Sequence, residues 1–141
     1  MKKEKSCVAV VYKFQNNQLL FLLIKSKKGH HYSFPKGHVE NNETEIETAL
    51  REIKEETNLD VIIDSNFREM ITYSPFENVM KDVIYFVASP KGEEKVIPQE
   101  TEVASAKWLY YSQALKQVTH DNERNILKKA YEYLKNQKGD C

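Results

Sequence analysis

Residues 37–59 read GHVENNETEIETALREIKEETNL. Ile46, Ala49, Leu50 and Ile53 recur at helical spacing, which predicts a helix with one buried apolar stripe. Glu52, Glu55 and Glu56 stand at i, i+3 and i+4, within one arc beside that stripe. This placement is unfavourable twice over. Each like-charge pair at such spacing costs about 0.2–0.5 kcal/mol. The acids also sit in the last two turns, where the helix dipole favours cations. A divalent cation cancels both costs, and three hard oxygen donors suit Mg²⁺ or Mn²⁺. Without a cation, the same acids make a solvated face with i,i+4 support from Arg51 to Glu55.

The surrounding residues narrow the choice. Gly37, Glu43, Arg51, Glu52, Ile53, Glu55, Glu56 and Leu59 meet the pattern G-x5-E-x7-R-E-U-x-E-E-x-G-U, where U is aliphatic. That pattern is the signature of the Nudix hydrolases, which this chain resembles. One position departs: Asn58 stands where the family has its second Gly. The position lies just past the helix end, where a left-handed residue is needed, and Asn is the next best residue for it. The change reads as a tolerated C-cap.

The chain has 141 residues, enough for a single domain with a core at about residues 6–137 and loose ends on either side. Formal net charge is zero but unevenly placed. Residues 43–56 hold six Glu against Arg51 and Lys54, a local balance of −4. Lys25, Lys27, Lys28, Lys36, His30, His31 and His38 precede them. An acidic helix beside a basic stretch suits metal ions plus a polyphosphate. A long nucleic-acid duplex would instead favour an excess of Lys and Arg over the whole domain. Cys7 lies in an apolar run and reads as a small core residue, and Cys141 is terminal. With no paired-cysteine framework, the expected setting is a reducing cytoplasm. The apolar run at 7–11 is too short for a signal peptide, and none approaches membrane-spanning length.

Strands are expected at 7–14, 19–24, 32–35, 79–89 and 103–109, with extended segments at 60–64 and 67–74 broken near Ser65-Asn66. Asn16-Asn17 supplies a hairpin turn. Asn42 or Thr44 caps the acidic helix, with Glu45 or Glu47 completing a capping box. Ser112 caps a short helix to about 118. Asp121 caps a last helix to about 136, with Ile126, Leu127, Ala130 and Leu134 inward. Strands on both sides of a central helix, with further helices at the end, give an α+β class with a mixed sheet packed between helices. The resemblance implies the same architecture, the Nudix-type α/β/α sandwich.

Nudix enzymes hydrolyse a nucleoside diphosphate linked to another group. The resemblance implies that Glu52, Glu55 and Glu56 hold divalent metal, helped by the Gly37 carbonyl. Metal neutralises phosphate oxygens and lowers the pKa of bound water. One glutamate, among these or more distant, takes the proton of that water. Arg51 is a candidate catalytic residue that orients these carboxylates, or else an exposed i,i+4 partner of Glu55. Glu102, just ahead of the strand holding Trp108, matches a glutamate that reaches the metals in several subgroups, with Glu100 close enough to compete. Lys36, His31, His38 and Lys81 are candidates for phosphate contact, the lysines as point charges.

The segments HHYSFPKGHVE (30–40) and KDVIYFVA (81–88) are similar to those of the asymmetric diadenosine tetraphosphate hydrolases, whose tyrosines clamp adenine. Tyr73 and Tyr85 are the matching candidates, and flat bases prefer aromatic faces. The alternative for both is an ordinary core or strand-face aromatic. Pro75 resembles instead a marker of ADP-ribose pyrophosphatases. RNA 5′-pyrophosphohydrolases share the scaffold, and an 8-oxo-dGTP sanitising role is a further alternative. Some Nudix domains only bind nucleotide, but they typically lose a carboxylate that this chain keeps. An EF-hand is excluded, because no Asp/Asn loop with a central Gly is present.

Overall fold

The first strand reaches beyond its apolar run. In the computed structural model, which describes residues 2–27, 31–92, 95–99 and 103–139, β1 spans Lys2–Gln15. Its first residues, expected to be loose, pair in parallel with the start of β6 (Val79–Pro90), from Lys2 with Val79 to Lys5 with Asp82. Backbone pairing needs no apolar side chain, so this extension left no mark in the hydrophobic pattern. Asn16 and Asn17, at φ 53° and 65°, turn the chain into β2 (Gln18–Ser26). Positive φ at both central residues is what a tight hairpin requires.

β3 (Tyr32–Ser33) pairs with β2, and β4 (Lys36–His38) pairs with β1. Gly37, just past the strand expected at 32–35, is therefore itself in a strand, opposite Cys7. β5 (Val61–Tyr73) runs antiparallel to β6, and β7 (Val103–Tyr110) antiparallel to β2. The expected break near Ser65-Asn66 is a bulge within β5, where the register moves five positions on β5 against two on β6. The Asp64 carboxylate accepts the Asn66 N–H there at 3.0 Å. The result is one mixed seven-stranded sheet, ordered β3-β2-β1-β6-β5, with β4 against β1 and β7 against β2.

Alternation divides the core between the two faces. Cys7, Ala9 and Val11 of β1, with Ile84, Phe86 and Ala88 of β6, pack on α1 (Glu45–Thr57). Val8 and Val10, with Val83, Tyr85 and Val87, pack instead on α2 (Tyr111–Gln117) and α3 (Asp121–Gly139). This is the expected sheet between helices. Cys7 is fully buried, and Ile126, Leu127, Ala130 and Leu134 form the inner face of α3.

Thr44 is the N-cap of α1: its hydroxyl accepts the Glu47 N–H at 3.1 Å, and Glu47 accepts the Thr44 N–H at 2.9 Å. Asn58 ends the helix at φ 66°, with its N–H on the Lys54 carbonyl. The buried face differs from the expected stripe. Ala49, Ile53 and Glu56, at i, i+4 and i+7, face inward, while Ile46 and Leu50 are 38% and 37% exposed. A carboxylate occupies part of the arc assigned to aliphatic residues, and Leu50 lies about 100° round from Ala49. The other two helices start differently from expectation. α2 begins before Ser112, with the Tyr110 N–H held by the Gln113 side chain at 3.3 Å. Asp121 is the first residue of α3 instead of its cap, because the Arg124 N–H bonds to the His120 carbonyl. No helix among the described residues is long and apolar enough to cross a membrane.

Candidate active site

The site begins with a missing side chain. A Cβ on Gly37 would lie 2.0 Å from the Glu52 carboxyl carbon. Glu52 thus crosses the bare backbone of β4 directly, and here Gly supplies space, since among the described residues no Gly has positive φ. Glu56 lies one helical turn on and is 9% exposed. Ser6, Lys36, Gly37, His38, Glu40, Glu52, Glu56 and Lys81 line a single cleft of about 240 Å³.

Arg51 organises the acids around this cleft. Its guanidinium holds both oxygens of Glu43, at 2.7 and 3.0 Å, and Glu52 at 2.6 Å. It also donates to the His38 carbonyl at 2.9 Å and reaches Glu55 at 3.4 Å and Glu40 at 3.7 Å. That exceeds the role of an i,i+4 partner. Hydrogen bonds from Arg51 hold the Glu43 carboxyl down at about pKa 2. Burial raises the pKa of Glu52, and Arg51 opposes the rise.

The three helix carboxylates do not converge as expected. Among the described residues, no group of three His, Cys, Asp or Glu side chains is arranged to hold a metal ion. Glu52 and Glu55 share the Arg51 Nη1, at 2.6 and 3.4 Å, with the Glu55 side chain 48% exposed, while Glu56 is buried at 9% exposure. The donor chemistry nonetheless fits a divalent cation. Glu52 and Glu56 share a cleft with the Gly37 backbone, and all are hard oxygen ligands.

Lys36 on β4 and Lys81 on β6 line the same cleft. Burial lowers the Lys81 pKa first, and the charge of Lys36 lowers it further. Lys36 also borders a second pocket of about 300 Å³, with Ile71, Tyr73, Val83, Tyr85, His120, Asn122 and Glu123. Tyr73 is 39% exposed there, whereas Tyr85 is 4% exposed and part of the core. The expected tyrosine pair is therefore a rim and a wall; core packing covers the second face that a clamp would need from Tyr85. His31 lines neither space: its ring lies 5.4 Å from that of His120 at the start of α3. His38 bonds Ser6 Oγ through Nδ1 at 3.3 Å. Glu102 and Glu100 lie outside the described residues.

Two acids were missed from the sequence. Glu43 was in the motif but had no role until its two-point grip on Arg51 was visible. Glu123 had no signal, since an acid in the first turn of a helix reads as an exposed complement to the dipole. It is instead 3% exposed.

The sequence matches the family model for the NUDIX domain over residues 3–130. It is 31% identical over 129 residues to a protein named asymmetrical bis(5′-nucleosyl)-tetraphosphatase from Sus scrofa, covering 89% of this chain and 87% of that one. An RNA pyrophosphohydrolase from a Nitratiruptor species is 29% identical over 126 residues, covering 82% and 81%. Among solved structures, a binary complex of the C. elegans Ap4A hydrolase superposes with a TM-score of 0.86 at 28% identity, covering 94% of this chain and 98% of that one.

Proposed function

Because the chain belongs to the Nudix hydrolase family, we propose that it cleaves diadenosine tetraphosphate (Ap4A) asymmetrically to ATP and AMP. The observation that carries this reading is the place of Lys36. It borders both the carboxylate cleft and the aromatic pocket, so a polyphosphate and its base can lie side by side. The tetraphosphatase relatives support the same substrate.

Glu52, Glu56 and the Gly37 carbonyl would hold Mg²⁺ or Mn²⁺, with Glu55 joining by a side-chain rotation. The bound cation would neutralise phosphate charge and acidify water. Arg51, fixed by Glu43, holds Glu52 over Gly37. Lys36 and Lys81 bind phosphate oxygens as point charges. Tyr73 and Tyr85 border the base, and His31 approaches from the α3 side. Glu102 is proposed as a further metal ligand or base. We assign the whole chain to one such domain, acting in the cytoplasm on a small nucleotide and not on membrane or duplex nucleic acid. The Nitratiruptor relative favours one second reading, removal of pyrophosphate from an RNA 5′ end.

The test is Mg²⁺-dependent hydrolysis of Ap4A, ADP-ribose and a 5′-triphosphorylated RNA, with products resolved by chromatography. ATP plus AMP from Ap4A is expected. A clear preference for either other substrate removes this assignment, and nucleotide binding without turnover of any returns the chain to the binding-only class. Glu56→Gln should keep the fold and cut turnover by roughly 10²-fold; unchanged turnover removes Glu56 from the site.

A further inference from the structure

Glu123 lies in the first turn of α3 and lines the aromatic pocket with Tyr73, Tyr85, His120 and Asn122. Its neighbour Asp121 is 92% exposed, as expected of an acid at a helix start, but Glu123 is 3% exposed. Its Oε2 is 3.4 Å from the Tyr85 hydroxyl, while its buried Oε1 has no hydrogen-bond partner. Burial pushes this carboxyl above the usual range, against the Lys36 charge and the Tyr85 hydrogen bond, which pull it down. Leaving such an atom unsatisfied costs stability that an apolar side chain would not. That cost, met at the wall of a pocket, marks a group held for a ligand.

We propose that Glu123 is a specificity-determining residue whose Oε1 accepts a hydrogen bond from the 6-amino group of an adenine seated in this pocket. The inference rests on reading the aromatic pocket as a base site. Protonated or not, a carboxyl keeps acceptor lone pairs, so the contact survives in either state. The terminal torsion of Glu is broad, which lets the carboxyl meet the base edge with little rearrangement. While Glu123 is ionised, a base with a keto oxygen at the same position places acceptor against acceptor and is disfavoured.

The test is calorimetric binding of AMP and of purine riboside 5′-monophosphate, which lacks only the 6-amino group. Neither probe contains a phosphoanhydride, so turnover does not intervene. The wild-type chain should bind AMP roughly tenfold more tightly than the analogue, within the yield of one hydrogen bond. Glu123→Met should remove the difference. Glu123→Gln keeps the volume and a carbonyl acceptor; it should shrink the difference several-fold without moving analogue affinity, and it carries the test alone if the Met variant does not fold. Equal binding of both probes by the wild type, no binding of either, or equal weakening of both by the variants overturns the inference. Ap4A cleavage without AMP discrimination removes Glu123's role and leaves the proposed substrate standing. Discrimination without Ap4A cleavage does the reverse.

Discussion

The three atoms nearest to a Cβ on Gly37 would all belong to Glu52, a flexible side chain. Gly37→Ala should therefore fold normally and lose function. We expect a melting temperature within a few degrees of wild type and turnover reduced by roughly tenfold or more, since a 1 Å misplacement near the chemistry can cost that much. A large stability loss with full activity would contradict the packing of Glu52 on β4. Arg51 gives a second test. Lys has no rigid fork, so Arg51→Lys cannot grip Glu43 at two points while holding Glu52. Turnover should fall about 10–100-fold, the range for groups that orient ligands. A third concerns acid. Arg51 holds the Glu43 pKa at about 2, and Arg68 does the same for Glu45. The folded pKa is depressed, so this stabilisation is present above the ordinary carboxylate value near 4.5 and is lost as pH falls toward 2. Urea midpoints should drop across that window, and less steeply in Arg68→Met. The box was legible at this scale because its members are close in sequence and fixed in spacing. Glu123 was not, because burial of a single acid is a tertiary property.

At the scale of elements, the sequence offers Thr44 as one of two N-caps of α1 and Asn58 as its C-cap, and both serve as caps, but the helix is rotated from the expected stripe. Periodicity marks which residues share a face, but packing decides which part of that face goes deepest. Here Glu56 takes an inward position and Ile46 and Leu50 are left at the rim. The C-cap reading held: Asn58 is left-handed, like Asn16, Asn17, Asn41, Asn42 and Asn78. Asn58→Gly should be neutral or stabilising by a few tenths of a kcal/mol, and Asn58→Ala should cost about 1 kcal/mol, because a Cβ disfavours this conformation. Denaturant melts of both variants check the pair. Equal losses would mean that the Asn58 side chain itself makes a needed contact.

For the whole molecule, the sandwich was legible from the order of its elements, strands on both sides of α1 with further helices at the end, and from the helical repeat of α3. The order of strands was not, since parallel pairing of β1 with β6 joins segments far apart in sequence. The pairing also gives the first residues work that their charges hide: Lys2 to Lys5 extend the sheet, and Lys5 pairs with Glu45 at 2.5 Å. Removing residues 2–5 should lower the melting temperature, at roughly 3 °C for each kcal/mol lost, and leave the cleft residues in place. An unchanged melting temperature would show that this extension adds nothing.

The β1–β6 pairing also sets a schedule for synthesis. The hairpin of β1 and β2 can close as soon as the Asn16-Asn17 turn is made, but both of its faces are apolar from Cys7 to Val11 and from Leu19 to Ile24. Its central partner, β6, is complete only at Pro90. At 5–20 residues per second, a ribosome takes roughly 3–13 s to add the intervening chain. For that interval the nascent hairpin is a sticky, half-covered surface. Its protection falls to chaperones or to brevity of exposure, so slower extension past Pro90 lengthens the time this surface stays open.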